Sequence, residues 1–340
     1  MQDGLFEKYS KEKEPSKYYK SYAWKTAIGL QKVDGLVASD YLVQTAEKSI
    51  NGDISFEDAH NLIKTYYKEN KFHLERAEEA DIVSVRIAQI IAEQAFVFSP
   101  IEYIAIHKRL FEGIFPHAGI IRDYNITKEE WVLDDDTVIY GNAINLQRML
   151  EYDFDMEKNF NYKGLSPTEI ISHIAKFTAN LWQIHIFGEG NTRTTAVFLI
   201  KYLAKLGFNV TNDIFAENAW YFRNALVRAN YSNFAKGVYA TTEYLELFLR
   251  NLLLGEDNIL SNRELHIGYK EIPVPYEKLK KREESILNIL KESPDISLQE
   301  VADKIGRSLR TVKIAVKSLQ EQGRLERVGG KKKGSWKVID

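Results

Sequence analysis

The stretch His185-Ile186-Phe187-Gly188-Glu189-Gly190-Asn191-Thr192-Arg193-Thr194-Thr195 decides the reading of this chain. Before it, Ser166-Pro167-Thr168-Glu169 is a capping box with proline in the first turn, and Ile170, Ile171, Ile174, Phe177, Leu181 and Ile184 follow at helical spacing. After it, Ala196 to Ile200, Tyr202, Leu203 and Leu206 are apolar nearly all round, which predicts a central buried helix capped by Gly207. Between the helices, Gly188 and Gly190 let backbone N–H groups curl into a nest, and the dipole of the second helix adds positive potential. Asn191 and Arg193 fall in the first helical turn, where the planar guanidinium suits bidentate phosphate binding. Glu189 is a hard oxygen ligand suited to Mg²⁺. His185 ends the preceding helix and, as a neutral imidazole, can accept a proton from a hydroxyl. A base, a metal ligand and an anion nest imply phosphoryl or nucleotidyl transfer. Taken singly they have plainer readings: a helix-terminal histidine is more often a cap or a core residue, and Gly-Glu-Gly is more often just a turn. A zinc pair at His185 and Glu189 would need a third ligand, and none is evident nearby. His173, upstream, reads as structural.

Composition narrows the class. The chain has 340 residues, enough for two or three domains, with 44% hydrophobic and 28% charged residues, as expected of a soluble globular protein. The formal net charge of −2 excludes a bulk polycation, and the absence of cysteine excludes a disulfide framework and thiolate metal sites. The first residues, MQDGLFEKYSKEKE, lack an apolar signal segment. The most apolar stretch, Ile82 to Phe98, is interrupted by Arg86, Gln89 and Glu93, so no membrane span is expected and the cytoplasm is the expected compartment.

In chain order, residues 1 to about 20 read as polar and frayed. Trp24 to Leu36 is apolar but broken by glycines. Ser39 caps a short helix ended by Gly52, and Ser55 with Asp58 opens another. This N-terminal helical unit has too little apolar surface to stand alone. Leu74 to Gln94 reads as a long helix, and Ser99-Pro100 opens the next, ended by Pro116 and Gly119. Trp131-Val132-Leu133, three aspartates and Thr137-Val138-Ile139-Tyr140 read as strand, acidic turn, strand. Residues 214 to 254 hold two more helices, and Pro273-Val274-Pro275 marks a linker. The last 65 residues carry 16 Lys and Arg against 10 Asp and Glu, a net +6. Their pattern of three helices and two short strands around a basic turn reads as a winged helix-turn-helix. Arg310, Lys313 and Lys317 on its recognition helix, and Lys331 to Lys333 on its wing, suit contact with DNA phosphates; a protein-docking face is the plainer alternative.

The central stretch resembles the signature of the Fic (filamentation induced by cAMP) family, His-x-Phe-x-(Asp/Glu)-Gly-Asn-Gly-Arg-x-x-Arg. His185, Phe187, Glu189, Gly190, Asn191 and Arg193 match it. Ile106-His107 through Leu110-Phe111, Ala118 to Arg122, and Leu226 to Asn230 are similar to flanking parts of the same core, so the likeness covers about residues 95–250. The resemblance implies a mostly α fold: a Fic helical core with a small β-hairpin flap at 131–140, preceded by an antitoxin-like unit. The expected domains are 1–72 regulatory, 73–255 Fic, 256–275 linker and 276–340 winged helix. It implies a protein adenylyltransferase that moves AMP from ATP to a Tyr, Thr or Ser hydroxyl of a protein. By the same resemblance His185 is the base, Glu189 holds Mg²⁺, and Gly188, Gly190, Asn191, Thr192, Arg193 and Asn230 bind the nucleotide. Expected partners are ATP, a protein target on the flap and DNA through 276–340; self-modification and a homodimer are compatible with the sequence, and a membrane is not expected. The rival readings are a Fic enzyme moving another phosphate-containing group and a nucleotide-sensing DNA-binding regulator.

Three positions depart from the signature. Ile186 replaces a proline, Thr192 a glycine, and Ala196 the second arginine, which in the family grips the γ-phosphate and pairs with an inhibitory glutamate. The nearest match to the inhibitory motif places Asp34 at the glutamate, followed by Gly35, with Leu30 at the serine or threonine. With Ala196 uncharged, the family's salt bridge cannot form. The expectation is that residues 21–68 pack over the pocket and inhibit weakly, or through another contact.

Overall fold

The computed structural model describes residues 15–70, 76–269, 276–306, 309–329 and 334–339. The chain divides into two compact units, Met1–Tyr269 and Lys270–Asp340.

In the first unit, the helices are α1 (Pro15–Leu30), α2 (Asp40–Asn51), α3 (Phe56–Glu69), α4 (Ala77–Ala92), α5 (Pro100–Phe111), α6 (Leu146–Lys158), α7 (Pro167–Ile184), α8 (Asn191–Lys205), α9 (Ile214–Ala229), α10 (Glu243–Leu254) and α11 (Asn262–Leu265). The starts follow local chemistry. The hydroxyls of Ser39, Ser55, Ser99 and Ser166 accept the N–H of Leu42, Asp58, Glu102 and Glu169, and Asp58 and Glu169 complete capping boxes. Helix α8 is buried on every side from Asn191 to Leu203, with Phe98, Phe154 and Phe177 packed on its Phe198 and Tyr202. This all-round burial is why its sequence lacks a polar face.

Several expectations change. Residues 15–20, expected to fray, belong to α1; residues 1–14 lie outside the described residues. Gly29 does not break its segment. It sits inside α1, where an added Cβ would lie 2.4 Å from the backbone of Ala216, so the missing side chain lets α1 and α9 pack closely. Helix α1 also packs on α4, and Trp24, Ala27 and Leu30 share one core with Trp182, Phe187 and Phe198. The N-terminal unit is therefore part of the same body. Residues 256–269, expected as linker, fold onto it too: Arg228 donates to Leu265 O and Ile267 N–H to Val132 O. Residues 270–275 lie outside the described residues.

The expected hairpin at 131–140 does not form. Trp131–Leu133 is a single 3₁₀ turn, closed by Asp134 and Asp135 at φ 59° and 62°. Glu130 N–H still bonds Asp136 O at 3.0 Å, but no ladder continues. The reason is burial: Val132 and Leu133 are adjacent and both buried, whereas a strand would send them to opposite faces. The segment is anchored by side chains instead. Buried Glu130 accepts from Tyr140 and lies 2.6 Å from Arg223, and Tyr231 donates to Asp136 at 2.6 Å.

The second unit contains α12 (Tyr276–Glu292), α13 (Leu298–Ile305), α14 (Leu309–Glu321) and the antiparallel strands β1 (Leu325–Val328) and β2 (Ser335–Val338), with Leu325 opposite Val338. It has its own core of Ile286, Leu290, Val301, Val312, Leu319 and Trp336. The sheet of the molecule, among the described residues, lies here and not in the flap.

Candidate active site

The site forms where α7 ends and α8 begins. His185 follows α7 in the left-handed region, φ 50°. A β-carbon is disfavoured there, so the conformation must be held from outside. Arg122 holds it: this nearly fully buried guanidinium donates to His185 O at 2.7 Å and to Tyr124 O and Gly141 O, both at 2.5 Å. The imidazole is packed by Tyr140 and Trp182, with ring centroids 4.3 and 5.2 Å away. Its Nδ1 faces Trp182 O at 3.3 Å. With the Nδ1 proton on that carbonyl, Nε2 carries the lone pair. Burial, and after it the charge of Lys128, pushes the His185 pKa well below the ordinary histidine value, so the ring is neutral near pH 7.

The next residues form a tight loop. Asn191 closes it: Phe187 N–H donates to Asn191 Oδ1 at 3.0 Å, and Asn191 Nδ2 donates to Phe187 O at 2.8 Å. Phe187 stacks on His107 with centroids 3.6 Å apart. Gly119 N–H donates to His107 Nδ1 at 2.8 Å, which leaves the Nε2 proton for Glu189 O at 3.0 Å. Burial lowers the His107 pKa to about 4, which keeps that tautomer neutral. Trp182 Nε1 donates to Thr192 Oγ1 at 2.9 Å. Gly190 is required by its backbone, and Gly188 by the groups that crowd it only while Tyr124 stays in place. Gly190 has φ 76°, and a Cβ on it would meet the Phe111 ring at 2.4 Å; a Cβ on Gly188 would meet the Tyr124 hydroxyl at 2.6 Å. Gly190 caps α8 without a side-chain acceptor, so no side chain takes up the first-turn N–H groups, the kind of donors that receive anions at helix starts.

The charged residues are placed differently from expectation. Glu189 is exposed, its carboxylate 3.1 Å from Lys128 Nζ. Among the described residues, no group of three His, Asp or Glu side chains could hold an ion alone. A single outward carboxylate fits Mg²⁺ that arrives with phosphate and keeps waters. Arg193, expected to cradle phosphate, is only 1% exposed and held by the N-terminal region. Its Nη2 lies 2.6 Å from Glu79, its Nη1 donates to Gln31 Oε1 at 3.1 Å, and its Nε lies 2.7 Å from Asp34 Oδ2. The last contact lies off the N–H direction and acts as a charge pair, not a hydrogen bond. Asp34 thus does form a salt bridge, to Arg193 and not to position 196; Ala196 is buried in the core. Asn191 and Thr192 direct their side chains into the loop's own bonds, and Asn230 donates to Ala179 O and Leu226 O as a helix-end cap. In this structure these side chains are loop and cap elements.

Arg122, His107, Lys128, Tyr140, Gln31 and Glu79 complete the site, and motif spacing gave no role to any of them. Glu79 is 114 residues from Arg193, and its only local signal is an acidic residue in a first helical turn. His107 and Arg122 did fall in segments similar to the family core, which is the signal that could have found them.

The model of the Fic/DOC family matches residues 97–203, and a winged helix-turn-helix DNA-binding model matches residues 279–326. None of the curated proteins matches the chain. Among solved structures, the N-terminal FIC domain of the Bep8 protein, a VirB-translocated effector from Bartonella sp. 1-1C, is 19% identical, with 54% of this chain and 88% of that one covered and a TM-score of 0.41. A Fic family protein from Desulfovibrio desulfuricans G20 is 12% identical, with 99% and 91% covered and a TM-score of 0.47. The chain carries a Fic/DOC family domain, followed by a winged helix-turn-helix domain.

Proposed function

We propose that the chain is a protein adenylyltransferase, transferring AMP from ATP to a Tyr, Thr or Ser hydroxyl of a protein, itself included. The observation that carries this reading is His185: a buried, neutral imidazole, oriented by Trp182 O through Nδ1, beside a helix N-terminus that no side chain caps. In the proposed reaction Nε2 takes the proton of the target hydroxyl. The hydroxyl oxygen forms a bond to the α-phosphorus, the bond from that phosphorus to the bridging oxygen breaks, and pyrophosphate leaves. The amides around Gly188 and Gly190 receive phosphate charge that a loop of fixed dipoles meets without reorganising. Glu189 would hold Mg²⁺, which would supply charge neutralisation on the phosphates. The target segment would dock beside residues 131–140, where Ile139 is 84% exposed. Regulation would run through Arg193: while Asp34, Glu79 and Gln31 hold its guanidinium, the phosphates lose their only arginine in the motif. Residues 276–340 would bind duplex DNA, with Lys313 and Lys317 on α14 facing phosphates; Arg310's side chain and Lys331 to Lys333 lie outside what the structure describes.

Intact-mass measurement after incubation with ATP and Mg²⁺, with and without cell extract as acceptor, tests the enzymatic reading. The expected result is a gain of one AMP, absent in His185→Ala. No gain with ATP, but a His185-dependent gain with another nucleotide or phosphate donor, would move the reading to a different Fic transfer. For the C-terminal domain, a duplex DNA shift that weakens as salt rises is expected; no shift at low salt would count against it.

A further inference from the structure

The Fic signature accounts for one side of the anion loop. The other side is formed by His117 and Tyr124, which lie outside the signature. An ideal Cβ on Gly188 would lie 3.2 Å from His117 Nε2 and 2.6 Å from the Tyr124 hydroxyl, so both groups press on the same face of Gly188. They reach it because Gly188 has no side chain. His117 is fixed from behind by stacking on Phe115, at 5.4 Å and 6°. Its Nε2 is buried and has no hydrogen-bond partner among the described residues. Buried polar atoms are nearly always paired, and an unpaired one needs an explanation. Tyr124 differs: its side chain is 53% exposed, while its carbonyl is fixed by Arg122. The backbone is therefore held and the phenol has room to turn.

Charge points the same way. Phosphates delivered to this loop would meet no arginine at position 196, and Arg193 is engaged by Asp34 and Glu79. A further donor is needed at the loop, and His117 Nε2 is the orphaned atom on its surface. We propose that His117 is a phosphate-binding residue of this site, donating from Nε2 to a phosphate oxygen at Gly188, and that Tyr124 is the side chain that covers it when the site is empty. This deepens the adenylyltransferase reading and rests on it only for the identity of the nucleotide.

The test is calorimetric binding of MgATP and of inorganic pyrophosphate to the full chain, comparing wild type with His117→Ala, His117→Gln and Tyr124→Ala, alongside AMP transfer. His117→Ala is expected to weaken both ligands roughly tenfold or more, the loss of a hydrogen bond to a charged group. The same variant should raise KM for ATP with little change in kcat. His117→Gln, which keeps a donor, should recover part of the loss, and Tyr124→Ala should not weaken pyrophosphate. The melting temperature of His117→Ala should stay near wild type, because no hydrogen bond is lost in the free protein. Equal affinity of wild type and His117→Ala for both ligands, or a fall in melting temperature with KM unchanged, would overturn the proposal. Pyrophosphate binding that depends on His117 without any AMP transfer would uphold the phosphate site and refute the adenylyltransferase reading. No binding of either ligand to wild type would sink both.

Discussion

Asn191 uses both ends of its amide on Phe187, so the loop between α7 and α8 keeps its shape before any ligand arrives. Asn191→Ala should leave a buried N–H and a buried C=O unpaired and destabilise the protein by about 3 kcal/mol, with loss of transfer activity. Denaturant melts of wild type and Asn191→Ala measure the loss. His107 gives a pH prediction. Its folded pKa of about 4 lies below the ordinary 6.5, so as pH falls the unfolded chain takes up this proton first. Its contribution is full above pH 6.5 and lost progressively down to pH 4, up to about 3 kcal/mol at roughly 1.4 kcal/mol per pKa unit. His60 and His185 are shifted in the same direction. The His107 share is thus the difference between wild-type and His107→Gln stability curves; parallel curves over pH 4 to 6.5 would refute it.

At the scale of elements, the 3₁₀ turn Gln31–Asp34 and the first turn of α4 form a clamp on α8. Gln31 is itself fixed by donating to Ala27 O at 3.0 Å, which turns its Oε1 toward Arg193. Replacing Asp34 and Glu79 together (Asp34→Ala, Glu79→Gln) should release the guanidinium. Two opposite changes are expected: a stability loss of about 3 kcal/mol, because a buried cation loses its partners, and tighter ATP binding with faster transfer. A variant that loses stability and gains no affinity would show a purely structural clamp. The flap has a comparable anchor in Glu130, buried between Tyr140 and Arg223. Glu130→Ala should unfasten Tyr140 from the His185 ring and lower kcat, with near-UV circular dichroism reporting the freed aromatic.

At the scale of the molecule, two separate cores imply two folding units. A fragment of residues 1–269 should fold and keep the proposed AMP transfer while lacking the proposed DNA shift, and the full chain should melt in two steps by calorimetry. Truncation at residue 255 should fail instead, because Leu265 and Ile267 close the body of the first unit. Among the described residues, no helix is long and apolar enough to cross a membrane.

What the sequence alone determined is local. Ser39, Ser55, Ser99 and Ser166 marked helix starts correctly because a cap is read within three residues, and the apolar run after Asn191 marked the buried helix because burial on all sides leaves no polar face. The winged helix was legible for the same reason: its elements are short and its turns carry glycine. Only the tertiary structure decided the partners of charged groups. Arg193 is engaged by Asp34 and Glu79, His107 holds the Glu189 carbonyl, and Arg122 fixes His185 in a left-handed conformation. Each of these pairings joins positions far apart in the chain, and side-chain hydrogen bonds follow packing geometry, which a local pattern does not encode. The flap failed as a strand pair on the same ground. Two apolar runs around an acidic turn favoured strands, but packing buried the adjacent Val132 and Leu133 together, and a turn can do that while a strand would send them to opposite faces.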